Sequence, residues 1–488
     1  MKQPDRLILL RSGLLLLAGA MLLLSIYPTS LSAAGATLPP TNTPRGTASR
    51  PPTQTLTPPP PTATPATRPS KTPTVIPTLV IEGTYQTPAE TPVTAIPPMM
   101  PTPVASGDDV AIIGLFGSDT ITPGAAARTD TIILLAVNRT RQTVTMVHIP
   151  RDLLVYVPNY TMVKINTVYN YGNVKYGEGG GAKLMKETLL YNLGIKLDFY
   201  ARVDFVEFQK LIQKLGGLEI SVDCGIQGYK LKDPKLPYYD ESSWELYTLP
   251  VGHYKLDPYS VLWYVRSRGS SSDFDRGRRQ MDVLRAMWRQ AKDAGLLTQV
   301  TQLWPEVQKL VETDMTLTDI LGFVPTGLAT DPSRIQRIDL ALNVHFRAAI
   351  IGAYVLLPNP DAMKIAMQNF VLPPPENRLG GEAPSIEIGA ALPLKGIDKV
   401  AADMLSWQGF AATAIGTEGI ANRDQTVIYD YTGNAKPNSL KAILSTLRVN
   451  ASAVVAKPDP ARTVDFRIEM GHDYQKCLYT LPKEEPSQ

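Results

Sequence analysis

Between residues 109 and 250 the spacing of apolar positions changes repeatedly, and each change marks an element. Residues 110–115 are a short unbroken apolar run ending on Gly117-Ser118-Asp119, the pattern of a buried strand feeding a loop. Residues 131–138 and 143–149 are β-prone runs joined by a short polar segment and predict a hairpin. Residues 182–193 suit a helix closed by Gly194, and 198–203 a strand. Asp204 then offers an N-cap to a helix whose Phe208, Leu211, Ile212 and Leu215 share one face, with Gly216-Gly217 as its stop. Residues 218–222 are another strand. A hairpin followed by strand–helix–strand units predicts an α/β fold, a mixed central sheet sandwiched by helices.

Farther on, Asp257-Pro258 is a helix start, an N-cap with proline at the first helical position. The spacing predicts an end near Tyr264, leaving Arg266 and Arg268 in extended backbone and facing one side. After a Ser-rich turn, Asp273 or Asp275 can cap a longer helix running to Gly295. On it Arg276 and Gln280 share a face, while Met281, Leu284, Met287, Trp288 and Ala291 form the apolar stripe. Residues 296–372 read as helical with irregular connections. A Pro/Gly-rich hinge follows, and then the pattern restarts. Strand 386–388, helix 397–408, strands 410–415 and 426–431, helix 437–447 and strand 464–470 predict a ferredoxin-like or similar small α+β domain.

The remaining segments set the compartment. Lys2, Arg6 and Arg11 flank an apolar stretch reaching Tyr27, about 20 residues when counted with 7–10, enough to span a bilayer with its amino terminus inside. Ser32-Ala33-Ala34-Gly35-Ala36 keeps a cleaved signal peptide open as the alternative. Either way the rest of the chain lies outside the cytoplasmic membrane. Residues 38–103 repeat Thr-Pro and Pro-Pro steps with too few apolar side chains to fold, which makes them a semi-rigid spacer. The expected division is therefore 1–37 tail and anchor, 38–108 spacer, 109–372 first domain, 373–384 hinge, 385–480 C-terminal domain and 481–488 tail.

Lys+Arg 48 against Asp+Glu 45 gives a net charge of +3, which offers no basic surface for nucleic acid. The arginines are instead concentrated locally: Arg266, Arg268, Arg276, Arg278 and Arg279 fall within 264–280. Guanidinium forks match phosphate oxygens bidentately, so this density suggests a polyanion site. The two cysteines, Cys224 and Cys477, stand in no zinc-binding pattern, and whether they pair is left open. With four histidines, no Ser/His/Asp arrangement is evident. Asp119 and Asp130 suit a hard cation such as Mg²⁺, although their spacing alone favours turn or cap roles. Arg151-Asp152 reads as a surface ion pair or a site pair, and Lys164-Ile165-Asn166 as a phosphate contact or loop polarity.

Taken in order, Arg128-Thr-Asp130-Thr131, His148-Ile-Pro-Arg151-Asp152, Lys164-Ile-Asn166 with Tyr171-Gly172, and Tyr264-Val-Arg266-Ser-Arg268 with Asp273-Phe-Asp-Arg276-Gly-Arg-Arg279-Gln280 resemble the LytR-CpsA-Psr family of extracytoplasmic phosphotransferases. The resemblance spans about 110–372, and residues 385–474 look like the LytR C-terminal domain, with Gly389-Ala390-Ala391 where that domain usually has Asn-Gly. Asp275 in place of the usual glycine, and Leu153 in place of threonine, are further departures. The resemblance implies transfer of a sugar-phosphate glycopolymer from a polyisoprenyl-pyrophosphate carrier to peptidoglycan, with pyrophosphate hydrolysis as a side activity. It implies Asp119 and Asp130 as Mg²⁺ ligands. Arg151, Lys164, Arg266, Arg268, Arg276 and Gln280 would surround the pyrophosphate, with Arg128, Asp130 and Asp152 nearest the chemistry. A non-catalytic polyisoprenyl-phosphate sensor or scaffold is the alternative. The isoprenyl tail requires an apolar slot, expected between sheet and helices.

Overall fold

The computed structural model describes residues 96–119, 128–268, 272–340, 345–350, 353–374, 382–391 and 396–474. Strand β1 (Val110–Ser118) pairs antiparallel with β2 (Thr129–Asn138), which pairs antiparallel with β3 (Thr143–His148), so the expected hairpin forms the middle of the sheet. A small hairpin, β4 (Leu154–Tyr156) and β5 (Met162–Lys164), leads to α1 (Val168–Tyr176) and α2 (Gly180–Leu193). Then come β6 (Phe199–Val203), α3 (Phe205–Lys214) and β7 (Leu218–Val222), with Asp204 capping α3 by accepting from the Val206 and Glu207 N–H groups. After β8 (Ile226–Leu231) and β9 (Trp244–Leu249), another hairpin, β10 (Gly252–Leu256) pairs with β7. Helices α4 (Pro258–Arg266), α5 (Asp273–Asp293) and α6 (Val300–Val307) follow. The first domain closes with β11 (Glu312–Thr313), α7 (Leu317–Leu321), α8 (Val324–Ala329), β12 (Ile335–Ile338), the hairpin β13 (His345–Ile350) and β14 (Ala353–Pro358), and α9 (Pro360–Val371).

The central sheet has the order β11-β6-β1-β2-β3-β12 and is mixed, parallel at β1–β6 and β3–β12 and antiparallel elsewhere. Ile132, Leu134 and Ala136 face α1, α2 and α9, while Ile133, Leu135 and Val137 face α3, α4 and α5; both sets are buried. Alternating side chains that are all buried are the mark of a sheet covered on both faces. The α/β sandwich is thus the observed fold class.

Several local expectations change. β7 lies outside the central sheet. Residues 296–372 hold four strands as well as helices, because pieces as short as β11 and β12 show no period and become strands only through their partners β6 and β3. Residues 96–104 already pack on the body: Met100 N–H donates to Tyr191 O (2.8 Å) and Val104 N–H to Gln368 Oε1 (2.8 Å). The spacer expected to reach 108 therefore ends earlier.

The C-terminal domain comprises β15 (Ile386–Ala390), α10 (Ile397–Ser406), β16 (Ala412–Gly416), β17 (Val427–Asp430), α11 (Pro437–Leu447), β18 (Val454–Ala456) and β19 (Phe466–Met470). Its sheet order is β16-β15-β19-β17-β18. β15–β16 and β17–β18 are adjacent parallel pairs joined by α10 and α11, and β19 runs between them. This corrects the ferredoxin-like expectation, in which the strands of one βαβ unit are not neighbours; the three-residue β18 was too short to anticipate. Among the described residues no helix is long and apolar enough to cross a membrane, and the anchor and most of the spacer and hinge lie outside them. Cys224 is buried and disulfide-bonded, and Cys477 lies outside the described residues.

Candidate functional site

The carboxyl ends of β1 and α4 and the amino ends of β2 and α5 meet at one corner of the sandwich. β1 carries a bulge at Gly117/Ser118, after which Asp119 turns back on Arg128. The Asp119 N–H donates to Arg128 O (3.1 Å), and the Arg128 N–H donates to Asp119 Oδ1 (2.8 Å), which closes the base of the loop between them. Two residues on, Asp130 accepts from Arg151 Nη1 at Oδ2 and from Asn166 Nδ2 at Oδ1 (3.0 Å). Arg151 follows β3, and its Nε lies 3.8 Å from Asp152 Oδ2 and 4.0 Å from Asp273 Oδ1. Lys164, the last residue of β5, donates to Asp152 Oδ1 (2.8 Å).

The other wall comes from α4 and α5. The cap at Asp257 forms as expected, its side chain accepting from Tyr259 and Ser260 N–H groups. The helix runs to Arg266, so Arg266 is its last helical residue and does not share an extended segment with Arg268. Ser272, not either aspartate, caps α5 by accepting the Asp275 N–H (3.2 Å), which leaves Asp273 and Asp275 in the first turn where the helix dipole favours them. Arg276 is buried; its Nη2 donates to Asp130 O (3.2 Å) and lies 2.7 Å from Asp273 Oδ1. Arg268 is half-exposed with Nη1 3.8 Å from the same oxygen. Gln280 donates to Val265 O (3.2 Å) from the same face of α5 as Arg276.

Electrostatics follow burial. Burial raises the Asp273 carboxyl above its ordinary range, against Arg276, Arg151 and Arg268, which oppose it. Arg266 is partly withdrawn from water over the Phe205 ring (4.2 Å), which lowers its pKa, and the carboxylates of Asp119 and Asp130 oppose that shift. Both acids are therefore within electrostatic reach of Arg266. His148 is buried against Gly277, where a Cβ would stand 2.2 Å from His148 Nδ1, so α5 can seat on β3 only with glycine there. Burial, then the Arg276 charge, holds His148 down to about 3.

Beside this cluster lies an apolar cavity of about 140 Å³ between the sheet and α3, α4 and α5. Its lining includes Leu115, Phe116, Ile133, Phe208, Leu211, Leu262, Val283, Leu284 and Met287, with Ser118, Arg266 and Gln280 supplying polar atoms.

The LytR_cpsA_psr family model matches residues 84–369, more than half of the 488-residue chain. The chain belongs to the LytR_cpsA_psr family. It is 29% identical over 201 residues to the polyisoprenyl-teichoic acid–peptidoglycan teichoic acid transferase TagT of Bacillus subtilis, covering 41% of this chain and 57% of that protein. It is 31% identical over 188 residues to the regulatory protein MsrR of Staphylococcus aureus, covering 38% and 50%. The chain thus spans about half the length of the curated relatives it matches. Among solved structures, B. subtilis TagV is similar with a TM-score of 0.43 and 21% identity, over 55% of this chain and 99% of that one.

In this member of the family, the structure brings Asp119, Arg128, Asp130, Arg151, Asp152, Lys164, Arg266, Arg268, Arg276 and Gln280 to one corner. It takes Arg278 and Arg279 away from it. Arg279, 1% exposed, holds Asp275 Oδ2 (3.0 Å), Ser267 O (2.5 Å) and Tyr264 O, and so closes the carboxyl end of α4. Arg278 pairs with Asp223 (2.8 Å), Asp275 (2.8 Å) and Asp282 (3.1 Å). Asp273 and Asn166 are the additions: from sequence the first is a candidate cap, and the second is open between a phosphate contact and loop polarity. The three-residue spacing from Asp273 to Arg276 was the available signal. No group of three potential metal ligands stands together among the described residues. A divalent cation would have the Asp119 and Asp130 oxygens alone, a donor set that fits Mg²⁺ with waters and phosphate oxygens completing its shell.

Proposed function

We propose that this chain is an extracytoplasmic phosphotransferase that moves a sugar-phosphate glycopolymer from a polyisoprenyl-pyrophosphate carrier onto peptidoglycan. One arrangement carries the reading: an apolar cavity whose polar lining includes Arg266 and Gln280, beside the cluster of Arg151, Lys164, Arg268 and Arg276. A lipid pyrophosphate needs those two environments side by side. The family relationship to TagT agrees with it.

In this reading the isoprenyl chain lies between the sheet and α3–α5. Arg151, Lys164, Arg266, Arg268, Arg276 and Gln280 surround the pyrophosphate, while Arg128, Asp130 and Asp152 lie nearest the phosphorus attacked by the acceptor hydroxyl. That attack expels polyisoprenyl phosphate and develops charge on the bridging oxygen, which preorganised guanidiniums stabilise without reorganising. Phosphoryl transfer asks mainly for such positioning, so a nucleophilic triad is not required. Mg²⁺ held by Asp119 and Asp130 would neutralise phosphate charge. Asp130 and Asp273 keep Arg151 and Arg276 aimed inward before substrate arrives.

The test is to incubate the full-length protein in detergent with a polyisoprenyl-pyrophosphate-linked glycan, peptidoglycan and Mg²⁺. Release of polyisoprenyl phosphate together with glycan-bearing peptidoglycan is the expected result. Binding without cleavage would overturn it and leave the second reading, a lipid-phosphate-binding sensor or scaffold, which the regulatory name of the relative MsrR favours.

A further inference from the structure

The C-terminal domain is seated on the helix that carries Arg276 and Gln280. Arg285 of α5, 1% exposed, donates to Ser406 Oγ (2.9 Å) and Asp403 O (3.0 Å) and pairs with Asp403 Oδ2 (2.8 Å). Arg289, one turn later, takes Asp403 Oδ1 (2.7 Å). Trp407, just past α10, is buried in the core of the first domain, its ring 3.7 Å from the Arg285 guanidinium and 4.7 Å from that of Arg337.

From there an unbroken line of polar contacts leads back to the phosphate site. Arg337 of β12 donates to Asp282 Oδ1 (2.7 Å), and Asp282 Oδ2 accepts from Arg278 (3.1 Å). Arg278 shares Asp275 with Arg279, at 2.8 and 3.0 Å, and Arg279 donates to Ser267 O (2.5 Å) and Tyr264 O. Ser267 sits between Arg266 and Arg268. Arg279, Asp282 and Arg285 are each under 9% exposed, so little water is at hand to replace a lost partner, and a missing contact must be answered by movement of its neighbours.

We propose that the C-terminal domain is a built-in positioning element for the phosphate site, acting through Asp403 and Trp407 on α5 and, by way of Arg337, Asp282, Arg278 and Arg279, on the α4–α5 junction that presents Arg266 and Arg268. Asp403 and Trp407 are positioning residues. The effect on turnover rests on the function proposed above; the mechanical coupling does not.

Asp403→Asn and the conservative Trp407→Phe are made in the full chain and followed by hydrogen exchange and by titration with inorganic pyrophosphate. Asp403→Asn is expected to speed exchange of the amides at 264–268 and 272–280 about tenfold and to weaken pyrophosphate binding by a similar factor. Exchange in β1 and β2 stays unchanged, and Trp407→Phe stays near wild type. Loosening confined to 397–407, with 264–280 and pyrophosphate affinity unaltered, would show the domain to be a passenger and overturn the proposal. Should Asp403→Asn fail to fold, Arg289→Met, which releases Asp403 from its more exposed partner, must show a smaller shift at the same amides; no shift there counts against it. Absence of transferase activity in the wild type would defeat the functional reading while leaving these measurements to decide the coupling.

Discussion

Two arginines in the site differ in what surrounds them, and their substitutions separate binding from folding. Arg266 stacks on Phe205 yet remains reachable by solvent, so Arg266→Ala should lower turnover about a hundredfold or more while the thermal midpoint moves little. Arg276 is buried with Asp273 at 2.7 Å, and Arg276→Ala leaves that carboxylate without its nearest cation, a cost of about 3–5 kcal/mol. Turnover and the midpoint should fall together. Calorimetry alongside a phosphate-release assay checks both, and an Arg276→Ala protein that melts like wild type would contradict the ion pair. His148 makes a pH prediction. Its folded pKa, about 3, lies below the ordinary 6.5, so between those values the unfolded chain binds a proton that the folded chain refuses. Its contribution to stability is complete above about pH 6.5 and is lost as pH falls toward about 3, at up to about 1.4 kcal/mol per pH unit. Urea unfolding of His148→Gln at pH 7, 5 and 4 should show a shallower slope than wild type.

α5 is the element on which the site depends, and its faces are divided by task. Arg276 and Gln280 look to the cluster, Arg278 and Asp282 to a structural network, Val283, Leu284 and Met287 to the cavity, and Arg285 and Arg289 to the C-terminal domain. The apolar stripe was readable because 3.6-residue spacing is local. The destination of each arginine was not, since five arginines on one segment look alike until their partners are known. Ser272, not either aspartate, is the cap: three short polar side chains stand within four residues, and spacing alone does not choose among them. Leu284→Trp tests the cavity, because it fills space where the isoprenyl chain would lie. A long-chain polyisoprenyl pyrophosphate should bind at least about tenfold more weakly, while inorganic pyrophosphate, which needs only the arginines, binds as before; isothermal titration of both ligands distinguishes them. Equal loss of both ligands would indicate general distortion instead.

At the level of the whole chain, local pattern sufficed for the class of fold and for the starts of two capped helices, whereas the set of charged site residues came from the ordered motifs of the family resemblance. Asp204 and Asp257-Pro258 announce their helices because a cap and its helix are neighbours in sequence. Pairing between strands far apart in sequence was beyond that reach: β12 is a strand by virtue of β3, and β19 lies between β15 and β17 because of contacts across some 40 to 80 residues. The same limit hid the separation of Arg278 and Arg279 from Arg276, the recruitment of Asp273, and the seating of Trp407 in the first domain's core. The stretch 264–280 stood out in the sequence by its composition, five arginines in 17 residues. Packing alone assigned three of its arginines to the pocket and two to the scaffold, because an ion pair is a property of two residues brought together, and no period along one chain segment records its partner.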